Sequence, residues 1–399
     1  MKNKFFTRKF VSVAQSLQVM ERYGYYMGIY LDHAATTRMR DEVIEEMMPY
    51  FQMHYGNAGS SYGLGVVSRK AINRARADIA ATLQAKPEEI YFTSGGTEAD
   101  NWAIRGIAQA LKEKGKHIIT SGIEHAAVLQ TCKYLESQGY EVTYLKVDSK
   151  GRIDLRELED AIRRDTVLIS IMYANNEVGT IQPVKQIADI AHAHGVLFHT
   201  DAVQAYGQIP VSVVTDGFDL LSARAHKFNG PKGVGFLYVK GYQKIDSLLI
   251  GGEQELGKRS GTENVPGIVG MAKAATIAVQ EMQERMEKTE QLRELLWTGI
   301  SEKIAHVTCN SDAENHLPGI LNISFCGREA EQILGYLDRK EIYASGGSAC
   351  SSRDRKPSHV LQAMGKSAEK IKGAIRFSLG YDNTEDEMMQ VIEKMIEMK

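Results

Sequence analysis

The sequence predicts an α/β protein in which a largely parallel sheet is covered on both faces by helices and is followed by a smaller α+β domain. Three observations lead there. Helical and extended periodicities alternate from about residue 66 onward. The extended runs are almost wholly apolar, as strands buried on both faces are. Beyond about residue 265 the alternation gives way to a long helical stretch and then to shorter mixed elements. At 399 residues the chain also exceeds what one simple core serves, which points to two domains.

The elements follow in order. VVSRKAINRARADIAATL (66–83) carries the helical period and EIYFT (89–93) is a short strand. SGGTEADNWAIRGIAQAL (94–111) is a glycine turn running into a helix, and HIITS (117–121) is a strand. EHAAVLQTCKYLESQG (124–139) is a helix and EVTYLKV (141–147) a strand; LRELEDAIRR (155–164) and TVLISIMYA (166–174) repeat the pair. Two apolar runs come next, GVLF (195–198) before HTDAVQ (199–204) and FDLLS (218–222) before ARAHKFNGPKG (223–233). GPKGVGFLYVK (230–240) adds a strand after a Gly/Pro turn. The stretch 269–304 is helical and is expected to bend or break near the domain junction, and GILNISF (319–325) is a strand of the smaller domain. The expected division is 40–285 for the large domain and 27–39 with 286–399 for the small one. Residues 1–26 stand apart as a dispensable extension or a mis-called start, with a targeting role as the alternative: the stretch is basic at its start, too polar for a good secretory segment, and precedes Met27 and GIYLDHAATT.

Composition narrows the function classes. A formal net charge of −2 provides no electrostatic reason to expect nucleic acid or an anionic membrane as partner. No apolar stretch approaches the roughly 20 residues of a membrane span. The four cysteines, Cys132, Cys309, Cys326 and Cys350, are widely spaced without a CxxC pair or a zinc-like cluster. That pattern predicts a reducing, cytoplasmic setting and no resident metal.

The chemistry concentrates at strand ends, where ligands bind in open α/β sheets. Asp201 and Lys227 each follow an apolar run. A lysine there can form a Schiff base with an aldehyde cofactor, and an acid can hold a pyridine nitrogen protonated, which together suit pyridoxal phosphate (PLP). An ordinary Asp–Lys ion pair is the alternative. Gly96 and Thr97 open the helix after a strand, so their N–H groups and the helix dipole offer a phosphate cup. His125, at the head of the next helix, can stack on a cofactor ring and relay protons, unless it is merely a helix-start histidine. Asn176 and Gln204 would bond the phenolic oxygen of such a ring, and His226 would touch its phosphate.

YLDHAATT (30–37), SGGTEADN, SGIEHAA (121–127), NNEVG (175–179), DAVQ, AHKFNGPKG, KRSGTEN (258–264), SGGSACSS (345–352) and RFSLG (376–380) occur in an order that resembles PLP-dependent cysteine desulfurases. The resemblance runs from Met27 to the C-terminus and is closest to the longer-loop group that serves iron–sulfur scaffold proteins and tRNA thiolation. It implies fold type I with a mostly parallel seven-stranded sheet, a homodimer, and conversion of L-cysteine to L-alanine. Lys227, displaced from the cofactor by substrate, would remove the α-proton. Cys350 would take the sulfur as a persulfide and hand it to a scaffold protein or a tRNA sulfurtransferase, touching an iron–sulfur cluster only in passing. Arg376 would grip the substrate carboxylate through a bidentate fork, and Thr262 would reach the phosphate of the neighbouring subunit. Selenocysteine lyase activity and a non-catalytic sulfur-assembly scaffold are the alternatives. Two segments depart from the family pattern. Arg224 stands where a serine is usual, which either strengthens or crowds the phosphate cup. In YGNAGSSYG (55–63), Ala58 replaces a proline and Tyr62 a histidine.

Overall fold

The apolar runs assemble as one central sheet and one smaller layer in the computed structural model, which describes residues 28–241, 243–346 and 357–398. The 1–26 extension and Cys350 lie outside those residues. The chain enters through β1 (Ile29–Tyr30) and then lays down seven strands. These are β2 (Ile90–Thr93), β3 (His117–Ser121), β4 (Glu141–Leu145), β5 (Thr166–Ser170), β6 (Leu197–Asp201), β7 (Leu220–Arg224) and β8 (Gly235–Val239). Their order across the sheet is β2-β8-β7-β6-β5-β3-β4.

Strands β3 to β7 pair in parallel, as the helix-strand alternation predicts. β8 is antiparallel to both its neighbours, β2 and β7. A parallel partner needs a long crossover, whereas the short connection from β7, with Gly233 at φ 76°, can only double back. β4 closes one edge and is correspondingly half exposed. Adjacent residues on a strand point to opposite faces, so Leu220 joins one apolar layer and Leu221 the other. The helix Gly96–Ala110 covers the Leu220 face; Gly63–Leu83 and Val265–Gln280 cover the Leu221 face.

The smaller layer is an antiparallel sheet of β9 (Val307–Cys309), β10 (Ile320–Phe325) and β12 (Ala374–Ser378), with β10 in the middle. β11 (Ile342–Tyr343) pairs in parallel with β1, so the residues after position 27 rejoin the C-terminal part of the chain. Leu31 accordingly packs with Leu292, Leu321 and Phe377. The long helical stretch breaks at Glu281, between helices Val265–Gln280 and Met282–Lys303, as expected.

Several strands sit later or end earlier than their apolar runs. β6 and β7 finish on Asp201 and Arg224, so the acid belongs to the strand itself. β5 leaves its ladder just after Ser170. Ile171 still donates its N–H to the His199 carbonyl of neighbouring β6 at 3.1 Å, but Met172 donates instead to the buried Glu124 carboxyl at 3.0 and 3.1 Å.

Candidate active site

The parallel strands aim their carboxyl ends at one pocket of about 240 Å³. Gly96, Thr97, His125, Asn176, Asp201, Gln204, Arg224, His226, Lys227 and Arg376 all line it. They come from separate stretches of sequence, and each stretch places its residues for a local reason.

The cup at the start of helix Gly96–Ala110 requires its glycines. Gly95 has φ 152°, and a Cβ on Gly96 would come within 2.6 Å of the Val203 side chain. A Cβ on Gly95 would sit 3.4 Å from Arg224 Nε, so the Arg224 side chain runs directly against the cup. The first N–H groups of a helix have no partners inside it, and with the helix dipole they favour an anion. His125 caps the next helix, Ala126–Ser137, by accepting the Ala127 N–H on Nδ1 at 3.1 Å. The neutral ring therefore carries its proton on Nε2.

Lys227 ends a short 3-10 turn, Ala225–Lys227, that follows β7. Its ammonium donates to the carbonyls of Ala34 and of Ala35, the latter at 3.0 Å. Gln204 Nε2 also donates to the Ala34 carbonyl, at 3.0 Å. His226 Nδ1 lies 2.9 Å from Thr36 Oγ1, and Thr37 donates its N–H to the His226 carbonyl. The HAATT segment is thus the strap that holds the lysine turn, a role its sequence alone does not announce. Burial pushes the His226 ring down to about 3, with Arg224, Lys227 and Lys232 adding to the effect. His226 can therefore offer a phosphate only a neutral hydrogen bond, which leaves the positive charge to Arg224.

Asp201 is 6% exposed and accepts the Val203 N–H at 2.9 Å. Burial raises its pKa, while His125, that N–H and Lys227 pull the other way. Arg376 is 1% exposed on β12. Its Nη2 donates to Asp32 Oδ1 at 2.6 Å and its Nη1 to the Asn176 carbonyl at 2.8 Å, while Nε has no partner. The fork is held rigidly at the pocket wall, and Asp32 is the residue that sequence reading missed. Its only sequence signal is its place two residues before Ala34.

One expected participant is not gathered here, and another lies outside the described residues. Thr262 lines a different hollow, with Ser94, Arg259 and Gly261, outside the pocket. Cys350 is not among the described residues, but both flanks of its segment are tied to the pocket. Ser345 exchanges backbone hydrogen bonds with Arg376 at 2.7 and 3.2 Å. Ser358 donates to Glu177, beside Asn176, and His359 Nε2 donates to the Glu124 carbonyl at 3.0 Å, beside His125. Of the other cysteines, Cys132 is fully buried and its thiol is pushed up to about 12 by that burial; Cys309 and Cys326 are half-buried.

The sequence profile of the aminotransferase class-V family matches residues 29–391. The chain belongs to that family. It is 51% identical over 371 residues to cysteine desulfurase IscS of Methanosarcina thermophila, covering 93% of this chain and 92% of that protein. Among solved structures, a NifS-like protein aligns with a TM-score of 0.88 at 42% identity, over 93% of this chain and 99% of the other. A structure described as SspA in complex with cysteine aligns with a TM-score of 0.79 at 37% identity, over 88% and 99% of the two chains. The mostly parallel sheet with its smaller layer is thus the class-V aminotransferase fold.

Proposed function

We propose that the chain is a homodimeric, PLP-dependent cysteine desulfurase that converts L-cysteine to L-alanine and passes persulfide sulfur to an acceptor protein. The observation that carries this reading is the convergence of Lys227, Asp201, the Gly96–Thr97 helix start and Arg376 on one pocket. That set fits the cofactor: an anion cup at one end, a buried acid, and an amine near it. Bound PLP would supply an aldehyde for the substrate amine and a ring that draws electrons from the α-carbon.

The chain's own residues supply the rest. The cup and Arg224 would hold the phosphate, Asp201 would keep the pyridine nitrogen protonated, and His125 would lie against the ring. Asn176 and Gln204 would offer hydrogen bonds to the phenolic oxygen. Arg376 holds the substrate carboxylate through the edge that Asp32 leaves open. Lys227 takes the α-proton at Nζ. The Cys350 thiolate then attacks the substrate sulfur: an S–S bond forms, the C–S bond breaks, and alanine departs after reprotonation.

The dimer is supported by large apolar side chains left exposed along one stretch, including Met48, Phe51, Met53, Tyr55 and Tyr62. The position of Thr262 outside the pocket suits a contact to a second copy. A division into 40–285 and 27–39 with 286–399 is supported by the helix break at Glu281 and by the separate apolar core around Leu31. An iron–sulfur scaffold protein or a tRNA sulfurtransferase is the acceptor we favour. The cytoplasm is the compartment we favour, on the spacing of the cysteines; no helix among the described residues is long and apolar enough to cross a membrane.

The test is direct. Protein reconstituted with PLP and given L-cysteine and a thiol reductant should release alanine and sulfide in equal amounts. No product from cofactor-loaded dimer would leave a non-catalytic scaffold, and faster turnover of L-selenocysteine would identify a selenocysteine lyase instead.

Arg224 adds a second expectation. A charge-assisted contact to phosphate contributes about 1.5–3 kcal/mol. Arg224→Ser should therefore weaken PLP binding roughly 10-fold or more, read by absorbance titration of cofactor-free protein. Tighter binding in the serine variant would mean that the guanidinium crowds the cup.

A further inference from the structure

We propose that Ser358 and His359 are positioning residues for sulfur transfer: they fix the chain that follows Cys350 against the two turns that present Asn176 and His125. The bearing on sulfur rests on the desulfurase reading above, while the anchoring itself does not.

Two consecutive residues reach two separate turns. The Ser358 hydroxyl donates to Glu177 Oε2, and His359 Nε2 donates to the Glu124 carbonyl at 3.0 Å. Glu177 follows Asn176 and Glu124 precedes His125, and Asn176 and His125 both line the pocket. The Ser358 oxygen also accepts the Leu361 N–H at 3.1 Å and so caps the helix His359–Ala363. One hydroxyl thus sets both where that helix begins and which turn it meets. A carbonyl only accepts, so His359 carries a proton on Nε2.

The two turns are the fixed side of these contacts. Glu124 is fully buried, and its carboxyl accepts the Ser121 hydroxyl at 2.6 Å and the Met172 N–H at 3.0 and 3.1 Å. Buried Asn175 donates to the Ile123 carbonyl at 3.1 Å and accepts the N–H groups of Glu177 and Val178 at 2.8 and 3.0 Å. The turns are therefore tied to each other without help from Ser358 or His359. Glu177 is fully buried too, and among the described residues the Ser358 hydroxyl is the only hydrogen-bond partner of its carboxyl. A buried carboxyl is costly unless it is bonded. Glu177 is thus placed for what Ser358 brings to it.

The helix itself is held by other means. Val360, Leu361 and Met364 are buried in one cluster with Ile123, Met172 and Val178. Apolar packing is non-directional, so it keeps the helix in place without fixing the point at which the preceding chain arrives. Hydrogen bonds are directional, and Ser358 and His359 supply them at that point. Cys350 lies eight positions before Ser358 and five after Ser345, whose backbone is paired with Arg376. A span tied at both ends samples less space than one tied at a single end, which raises the effective concentration of a thiol it carries.

The test compares wild type with the double variant Ser358→Ala/His359→Ala and with Ser358→Thr/His359→Gln. In the second variant a hydroxyl and an amide keep both donors. With PLP loaded and no reductant, single-turnover formation of alanine and persulfide from L-cysteine should slow about 10-fold in the alanine variant, the scale of one or two hydrogen bonds. Exchange of the α-proton of L-alanine in D₂O needs Lys227 but no thiol, and should be preserved. The threonine/glutamine variant should recover most of the loss. In the cofactor-free proteins, amide hydrogen exchange over 357–366 should quicken about 10-fold in the alanine variant, while 117–126 and 168–178 keep their protection. A parallel loss of α-proton exchange, or faster amide exchange over 117–126, would show that the contacts hold the pocket wall instead. Sulfur transfer at the wild-type rate in the alanine variant would remove both residues from any positioning role. If wild type forms no alanine, the desulfurase reading fails, and amide exchange still decides which side the contacts hold.

Discussion

Lys227→Ala should lower alanine formation from L-cysteine by about 10³-fold or more, the largest loss expected of a single substitution in the pocket. Two functions disappear together: the amine that bonds covalently to the cofactor aldehyde and the base that takes the α-proton. General-base catalysis alone accounts for roughly 10²–10⁴-fold. Among the described residues lining the pocket, Lys227 is the only lysine. The Ala34 and Ala35 carbonyls hold its ammonium at the end of β7, so a shorter or displaced amine cannot replace it. Borohydride treatment of PLP-loaded wild type should fix the cofactor to the peptide containing Lys227, whereas the variant should give no adduct and partial rescue by small amines. A variant that keeps wild-type turnover would show that another group is the base.

Cys350→Ala should abolish both alanine and sulfide release, again by about 10³-fold or more, while the cofactor absorption band and exchange of the substrate α-proton in D₂O persist. That split separates sulfur transfer from the steps that Lys227 serves. The described flanks make the assignment physically reachable. Cys350 lies five positions beyond Ser345, which is paired with Arg376. At no more than ~3.6 Å per residue, a five-residue stretch of chain spans at most about 18 Å. The other flank is pinned by Ser358 to Glu177 and by His359 to the Glu124 carbonyl. Equal product from the variant and wild type would refute the assignment. The remaining thiols are poor substitutes, because Cys132 is buried and protonated and neither Cys309 nor Cys326 lines the pocket.

Asp201, Lys227 and the Gly96–Thr97 cup are legible in the amino-acid sequence because each depends on short-range rules. An apolar run of buried-strand length ends at a polar residue, and a glycine pair turns a strand into a helix. Both features lie within a few residues of the groups they position. The sequence by itself therefore determined the order of strands and helices, the strand ends that carry the chemistry, and the break in the long helical stretch. Even there the boundaries moved, since the Met172 N–H turns to the Glu124 carboxyl just after β5 while the sequence is still apolar.

What only the tertiary structure decided lies between segments remote in sequence. Asp32 meets Arg376 across 344 positions, and the HAATT carbonyls meet Lys227 across more than 190. Thr262 stands in KRSGTEN, one of the motifs that carry the resemblance, yet opens on a separate hollow. Periodicity and turn chemistry fix which face a residue occupies, but not which distant residue will meet it. That choice, and with it the burial that sets each group's charge, is made only when strands and helices pack.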